Sequence, residues 1–157
     1  YMKFQDGDNR FRILGDAVVG FEYFKEDNKP VRSKEMFEET PLIKKDGKVK
    51  AFWAFPVWNY QVSKSEKGAW IGGIQILELT QKTIMGPVKA LVDNPKWGNP
   101  LMYDICVTKT GEGLDTDYQT MAEPPIGEAD DMILNEFSET PINLEALFEG
   151  KDPFEVK

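Results

Sequence analysis

The sequence predicts a mainly β domain in which antiparallel strands enclose one core. Apolar and polar residues alternate in several short stretches, which is the pattern of strands with one face in water. Only one stretch ahead of the acidic C-terminal part changes to helical spacing. The chain has 157 residues, of which 41% are hydrophobic, enough for a single domain with a substantial core.

Five strands are expected from this alternation. They span residues 10–24, 51–61, 69–79, 101–108 and 114–121. The first strand bends near Gly15, and within it Phe11 and Ile13 alternate with Arg10 and Arg12. That alternation predicts that both arginines lie on the outer face. The second and third strands are separated by the turn "SKSEKG" and are expected to pair as a hairpin.

One helix is expected between the third and fourth strands. In "TQKTIMGPVKALVDN" at 80–94 the apolar residues share one helical face, and Thr80 is in position to cap the start. Pro87 is expected to kink this helix or to delay its start. The polar stretch 25–50 is expected to be a long loop, with a short helix near 35–39.

The order of these elements predicts an OB-fold. Three strands, a helix and two further strands is the order of that five-stranded Greek-key barrel, whose face and loops often bind oligonucleotides. An open antiparallel α+β sheet is the main alternative. The barrel domain is expected at 1–125, and an acidic C-terminal tail with short helical pieces near 132–137 and 144–148 is expected at 126–157.

Charge is distributed unevenly along the chain. Residues 1–109 hold 17 Lys and Arg against 14 Asp and Glu, a balance of +3. Residues 110–157 hold 2 against 13, a balance of −11. This asymmetry predicts a mildly basic body and an acidic tail. The simpler alternative is that the acidic residues only keep the protein in solution.

Composition narrows the possible chemistry. There is no histidine, and Cys106 is the single cysteine, which excludes Ser–His and Cys–His catalysis, an internal disulfide and a cysteine-based zinc site. The stretch "DGDN" does not continue as a calcium loop, because Arg10 stands where a ligand is needed. A carboxylate enzyme would need acids that converge in the body, whereas the acids crowd the tail and the turns. We therefore expect no enzyme, no metal and no cofactor.

The expected location is the cytoplasm. No apolar run approaches the roughly 20 residues of a membrane span, and the first residues do not have a basic-then-apolar signal pattern.

Single-strand binding fits the remaining features of the body. It needs flat rings on which bases stack and cations that contact phosphates. Within 51–60, the period of two separates Trp53 and Phe55 from Trp58 and Tyr60, so one of these sets should be exposed, while the alternative for each ring is the core. The candidate nucleic-acid-binding residues are Arg10, Arg12, Arg32, Lys34, Trp53, Phe55, Trp58, Tyr60, Lys82, Lys109 and Tyr118.

A family resemblance points in the same direction. It rests on "FWAFPVWNY" and on "IQILELTQKTIMGPVKALVDNPKWGNPLMYDICVTKTGEGLDTDY". These stretches resemble phage-encoded single-stranded DNA-binding proteins of the OB-fold type, relatives of the T-even helix-destabilising protein, over about residues 1–125. The resemblance implies sequence-tolerant binding of single-stranded DNA in replication, recombination or repair, inside the host cell, with Trp53 and Phe55 as stacking rings.

The same resemblance implies an acidic tail that recruits replication or recombination proteins and competes with DNA for the groove. The T-even protein has a zinc-binding Cys/His insertion, and this chain lacks the residues for one, so no zinc is expected. RNA is a second possible ligand.

The C-terminal tail contains the candidate partner-binding residues. They are Phe148, Asp152, Pro153 and Phe154. Acidic residues around an aromatic anchor would suit a basic, apolar pocket on a partner protein. The alternative is that this segment packs back onto the barrel. The second functional interpretation is therefore a protein-interaction or structural domain that works through its acidic C-terminal segment.

Overall fold

A single antiparallel sheet organises the described part of the chain. The computed structural model describes residues 1–97, 99–123 and 127–155. Within these ranges the strands are Gly7–Ile13 (β1), Val18–Phe24 (β2), Pro30–Ser33 (β3), Lys50–Lys64 (β4), Trp70–Leu79 (β5), Asp104–Thr110 (β6) and Asp117–Ala122 (β7). The α-helices are Lys82–Asp93 (α1) and Asp131–Glu139 (α2). Short 3₁₀ helices span Pro100–Met102, Gly113–Asp115 and Leu144–Glu149. The mainly β class expected from the sequence is confirmed.

The long strand β4 is the centre of the sheet. It pairs with β5 along one edge, and along the other edge with β2 at its start and with β1 further on. Thus β1 and β2 follow one another along the same edge, as expected for one long, bent first strand. β1 also pairs with β6, which pairs with β7, and the short strand β3 extends the sheet beyond β2.

The sheet is open and has seven strands, so the five-stranded barrel is not confirmed. Among the described residues β5 pairs with β4 alone, and no pairing joins β5 to β7. Helix α1 lies against β7, and Tyr118 and Ala122 of that strand pack on the same core as the helix. In a closed barrel β5 would pair with β7, whereas here α1 packs against β7.

Both faces of β4 are covered. On one face Phe55 and Val57 join a core that includes Ile84 and Val88 of α1. On the other face Phe52, Ala54 and Trp58 are covered by the segment 127–155. This second layer explains why so many aromatic residues fit into one strand: neither face of its central part meets water.

The helix expected at 80–94 is confirmed, with different details at its start. α1 begins at Lys82 and continues through Pro87 to Asp93, so the proline does not delay it. Thr80 is not the cap: the N-cap is Gln81, and its side chain makes no capping hydrogen bond. Amphipathic packing stabilises the helix instead, because Ile84, Met85 and Val88 are buried.

Two expectations for residues 25–50 are wrong. The stretch contains β3, whose pairing with β2 was not expected, and Lys25 forms an isolated bridge with Ile43. Residues 35–39 form no helix. A four-residue strand in a polar stretch has too few positions for a pattern of alternation, and its partner strand decides its conformation.

The two helical pieces expected in the C-terminal part are confirmed as α2 and the 3₁₀ helix Leu144–Glu149. The expected domain boundary at 125/126 lies outside the described residues. From residue 127 onwards the segment packs on the sheet, since Ile133 and Leu147 are buried against it.

Candidate nucleic-acid interface

Trp53 and Tyr60 are the two half-buried aromatic residues of β4, and Trp53 is the one that lines a groove. It is half-buried at the edge of the main core, where the start of β4 meets α1. Because β4 enters the sheet here, Trp53 is covered on one side by core residues and faces a groove on the other.

The groove beside Trp53 has a volume of about 700 Å³ and lies between the start of β4 and α1. Its lining includes Lys48, Lys50, Lys82 and Lys89, with Trp53 and Met85 as the large apolar contacts. A neighbouring cavity of about 500 Å³ shares Lys48, Lys50 and Thr80 with it and adds Lys44, Phe24 and Asp46. A third cavity shares Trp53 and Lys89 and is more apolar, with Val19, Val88 and Val92 in its wall. The groove beside Trp53 thus shares lining residues with both neighbouring cavities, whose walls also contain acidic residues.

The lysines of this groove are mostly free of acidic partners. Within the described residues Lys48, Lys50 and Lys82 form no ion pair, and all three are exposed. Lys89 pairs with Asp93 of its own helix at 2.7 Å, and both side chains are largely exposed, which makes this a weak pair. Lys44 donates to the side-chain oxygen of Asn28 at 2.9 Å. The groove therefore presents several cations around one half-buried ring.

Local structure explains how these cations meet. Lys82 and Lys89 are seven residues apart on α1, which is about two turns, so their side chains lie on one face. Lys50 is the first residue of β4, and Lys48 precedes it by two residues. The backbone of Lys50 pairs with that of Glu22, near the end of β2. The helix and the strand thus supply two cations each to opposite sides of the groove.

Phe55 and Trp58 lie in the interior. Phe55 is buried in the main core, so its expected role as a stacking ring does not fit its position. Trp58 packs against Ala129 and Ile133 on the other face of the sheet, under the C-terminal segment. Both rings are core residues, which was the alternative for each of them.

Arg12 is also buried, which corrects its expected place on the outer face. Its side chain is 3% exposed and pairs with Asp104 at 2.7 Å. It also donates to the carbonyl oxygens of Leu101 and Gly127. The alternation in β1 assigned Arg12 to the correct face, but the C-terminal segment covers that face, so the guanidinium is unavailable to a ligand.

Tyr60 joins the same buried polar cluster. Its hydroxyl donates to Asp104 at 2.9 Å. Burial, and then the Asp104 carboxylate, raise the pKa of Tyr60 to about 12. The ring is half-buried beside Trp58, so its position indicates a structural role.

Arg32 lies between two carboxylates. It contacts Glu22 at 3.1 Å and Glu78 at 2.8 Å, and its side chain is 11% exposed. The guanidinium carbon is 5.8 Å from the centre of the Phe52 ring. Its donors are therefore occupied within the protein.

The other candidate residues lie away from the groove. Arg10 is exposed and pairs with Glu123. Lys34 pairs with Glu145 at 2.7 Å and lies 5.6 Å from the centre of the Phe148 ring. Lys109 is half-buried on β6.

Tyr118 is half-buried on β7, where its ring packs against Phe4. Of the eleven residues expected to bind nucleic acid, the groove brings together Trp53 and Lys82, with Phe55 behind its wall.

The candidate partner-binding residues of the C-terminal segment are largely used inside the protein. Phe148 packs on Phe52, with ring centres 5.7 Å apart, and Pro153 is fully buried. The side chain of Asp152 accepts a hydrogen bond from the backbone N–H of Phe154 at 2.9 Å. Phe154 itself is 36% exposed. The segment therefore packs back onto the sheet, which was the alternative that the sequence left open to docking on a partner protein.

The sequence contained a usable signal for one missed residue, Lys89. The helical period of 80–94 places Lys89 on the same face as Lys82, so that both could have been assigned to one groove. Lys48 and Lys50 had no comparable signal. Their position depends on the approach of β4 to α1, and local spacing does not specify this contact.

Comparison with protein-family models, with characterised proteins and with solved structures finds no significant match. None of the helices in the described ranges has the length and apolarity that a membrane span needs. In the same ranges no group of three or more Cys, Asp or Glu side chains is arranged to hold a metal ion.

Proposed function

We propose that this protein binds single-stranded nucleic acid, with single-stranded DNA as the main ligand, in the groove between β4 and α1. The observation that carries the proposal is a half-buried Trp53 surrounded by Lys48, Lys50, Lys82 and Lys89. A ring that can stack under any base and cations that contact phosphates are the two requirements of sequence-tolerant binding. Such binding would support DNA replication, recombination or repair.

The roles divide between the two kinds of side chain. One base stacks on Trp53, a contact that contributes about 1–3 kcal/mol in comparable proteins. The lysines contact the backbone on either side and release counterions from the strand. Contact between four lysines and four phosphates predicts a slope of log K against log salt of about −3, because each contact on a single strand contributes about −0.7.

The arrangement of strands is a second support. β1 lies between β4 and β6, β5 follows β4, β7 follows β6, and α1 connects β5 to β6. These pairings are those of an OB-fold without the pair that closes its barrel. We propose that the chain is a divergent, open relative of that fold, with β2 as the continuation of its first strand and β3 as an addition at the edge.

The test is a tryptophan fluorescence titration of the full chain with oligothymidylate. Binding is expected to quench the fluorescence, and raising the salt from about 50 to 200 mM should weaken it about fifty-fold. Trp53→Phe should remove most of the quenching, whereas Trp70→Phe should keep it, because Trp70 lies far along β4–β5 from the groove.

Charge reversal provides the matched control. Lys48→Glu with Lys50→Glu should abolish binding, while Lys45→Glu with Lys96→Glu, which makes the same change of charge at exposed positions outside the groove lining, should reduce it only slightly. Equal losses in both double variants would contradict a defined groove. An absence of quenching and of any mobility shift for the wild-type protein at low salt would refute nucleic-acid binding altogether.

A further inference from the structure

Two hairpin tips carry exposed side chains that do not line the groove. We call residues 110–117, between β6 and β7, the acidic tip, and residues 62–71, between β4 and β5, the basic tip. Both contain apolar side chains in contact with water. The two tips carry opposite charges, and both also expose apolar side chains. Each tip is therefore a suitable contact surface for the other.

The acidic tip holds an apolar residue in water by a defined turn. Leu114 is 106% exposed, and Glu112, Asp115 and Asp117 surround it without any cation inside the tip. The turn requires a glycine: Gly111 has a φ of +80°, and a Cβ added there would lie 2.1 Å from the Asp115 carbonyl oxygen. The N–H of Asp115 donates to the carbonyl of Glu112 at 2.9 Å. Leu114 thus lies in a hydrogen-bonded turn that requires glycine at position 111.

The basic tip presents a complementary surface. Val62, Trp70 and Ile71 are all more than 40% exposed, which is an unusual concentration of large apolar side chains for one turn. Lys64 lies 4.7 Å from the centre of the Trp70 ring, and Lys67 follows in the turn. The two lysines outnumber Glu66, the one acidic residue of this tip.

The topology places both tips at the same end of the sheet. β1 lies between β4 and β6 and is antiparallel to both, so β4 and β6 run in the same direction. Each tip follows the C-terminal end of its strand. β1 pairs with β4 only as far as Asn59, so the basic tip projects beyond the three-stranded part of the sheet.

We propose that two copies of this chain associate end to end through these tips. A two-fold axis between the tips brings the acidic tip of each copy against the basic tip of the other, so two equivalent contacts form together. Leu114 packs against Val62 and Ile71 of the second copy, while Glu112 and Asp115 face its lysines. The result is a closed dimer, and its formation does not depend on nucleic acid.

Charge-reversal complementation tests this dimer by sedimentation equilibrium without nucleic acid. Lys64→Glu with Lys67→Glu makes both tips acidic, and Glu112→Lys with Asp115→Lys makes both basic. Each double variant alone should be monomeric because its tips repel each other. An equimolar mixture of the two should dimerise like the wild type, because both contacts then pair opposite charges. Lys45→Glu with Lys96→Glu, a matched change elsewhere, should dimerise normally.

A charge-neutral variant tests the apolar part. Leu114→Ser should weaken the dimer about tenfold or more, since a buried leucine would be lost from two contacts. Circular dichroism should be unchanged, as all these side chains are exposed. A wild-type protein that stays monomeric at every accessible concentration, a double variant that dimerises alone, or a monomeric mixture would each overturn the proposal.

Discussion

At the scale of the residue, the most unusual group is Glu22. It is buried and shares the Arg32 guanidinium with Glu78. Burial, followed by the hydrogen bond and the charge of Glu78, raises the pKa of Glu22 to about 8, although Arg32 acts in the opposite direction. The carboxyl group of Glu22 therefore keeps its proton in the folded protein near neutral pH.

This proton predicts how stability changes with pH. The folded state holds it up to about pH 8, while an unfolded glutamate releases it near its ordinary pKa of 4.5. Between these values the folded state binds more protons, so the contribution of Glu22 to stability falls as pH rises. Glu22→Gln, which mimics the protonated carboxyl, should flatten this fall, and urea midpoints at about pH 5 and pH 8 measure it.

The exposed Glu26 supplies the control for that measurement. Glu26→Gln should leave the pH dependence as in the wild type. Parallel curves for the wild type and Glu22→Gln would show that the carboxyl of Glu22 is not the group responsible.

Side-chain positions also show where sequence reasoning stops. Alternation placed Arg12 on the correct face of β1 and Trp58 opposite Phe55, yet both were expected to be available to a ligand. The sequence pattern did not show that the segment 127–155 packs on that face, because the residues in contact are distant in sequence. Periodicity predicts which face of a strand a side chain lies on, but it does not predict which other segment packs against that face.

At the scale of the element, long stretches with a clear period were predictable and short ones were not. The helix α1, the hairpin of β4 and β5, and the two C-terminal helical pieces lie close to their expected positions. β3 was missed because four residues contain too little pattern. The closure of the barrel was expected from element order alone, and order does not fix whether the last pair of strands forms.

The middle of α1 offers a direct test of its conformation. Gly86 lies in the helix interior directly before Pro87, and apart from its chain neighbours a Cβ added there meets nothing within 4 Å. Gly86→Ala should therefore change the free energy of unfolding by less than about 1 kcal/mol, because the backbone entropy that alanine saves in a helix is offset by the crowding of its Cβ against the ring of Pro87. Urea unfolding measures the change.

Gly20 gives the opposite case on β2. A Cβ there would lie 2.5 Å from the Ser33 carbonyl oxygen and 2.8 Å from the Phe148 ring, so Gly20→Ala should destabilise by about 1–3 kcal/mol. A loss of stability for Gly20→Ala no larger than that for Gly86→Ala would contradict the described packing.

At the scale of the whole molecule, the acidic C-terminal part is a structural layer. It buries Ala146 and Leu147 against Phe52 and Ile76 and balances part of the charge of the body through pairs such as Lys34 with Glu145. The uneven charge indicated an acidic tail, and the packing of its apolar residues onto the body was left as the alternative, because local sequence does not specify contacts between distant segments.

Removal of this layer should therefore cost stability. A chain that ends at Glu123 would expose Phe52, Trp58 and Ile76, and we expect it to bind a hydrophobic dye and to lose cooperative unfolding. The milder change Leu147→Ala should lower the free energy of unfolding by about 2–5 kcal/mol. Met132→Ala on the exposed side of α2 should have almost no effect. A shortened chain with an unchanged urea midpoint would contradict this view.

The place of β1 in the sheet has a consequence for synthesis on the ribosome. Its residues 7–12 pair with residues 104–109, so this strand lacks its second partner until more than a hundred residues have been translated. The face of β4 that carries Phe52 and Trp58 remains uncovered for longer, because residues 131–149, which pack on it, are translated later. At roughly 5–20 residues per second, a nascent chain exposes this face for several seconds, the interval in which a chaperone would act.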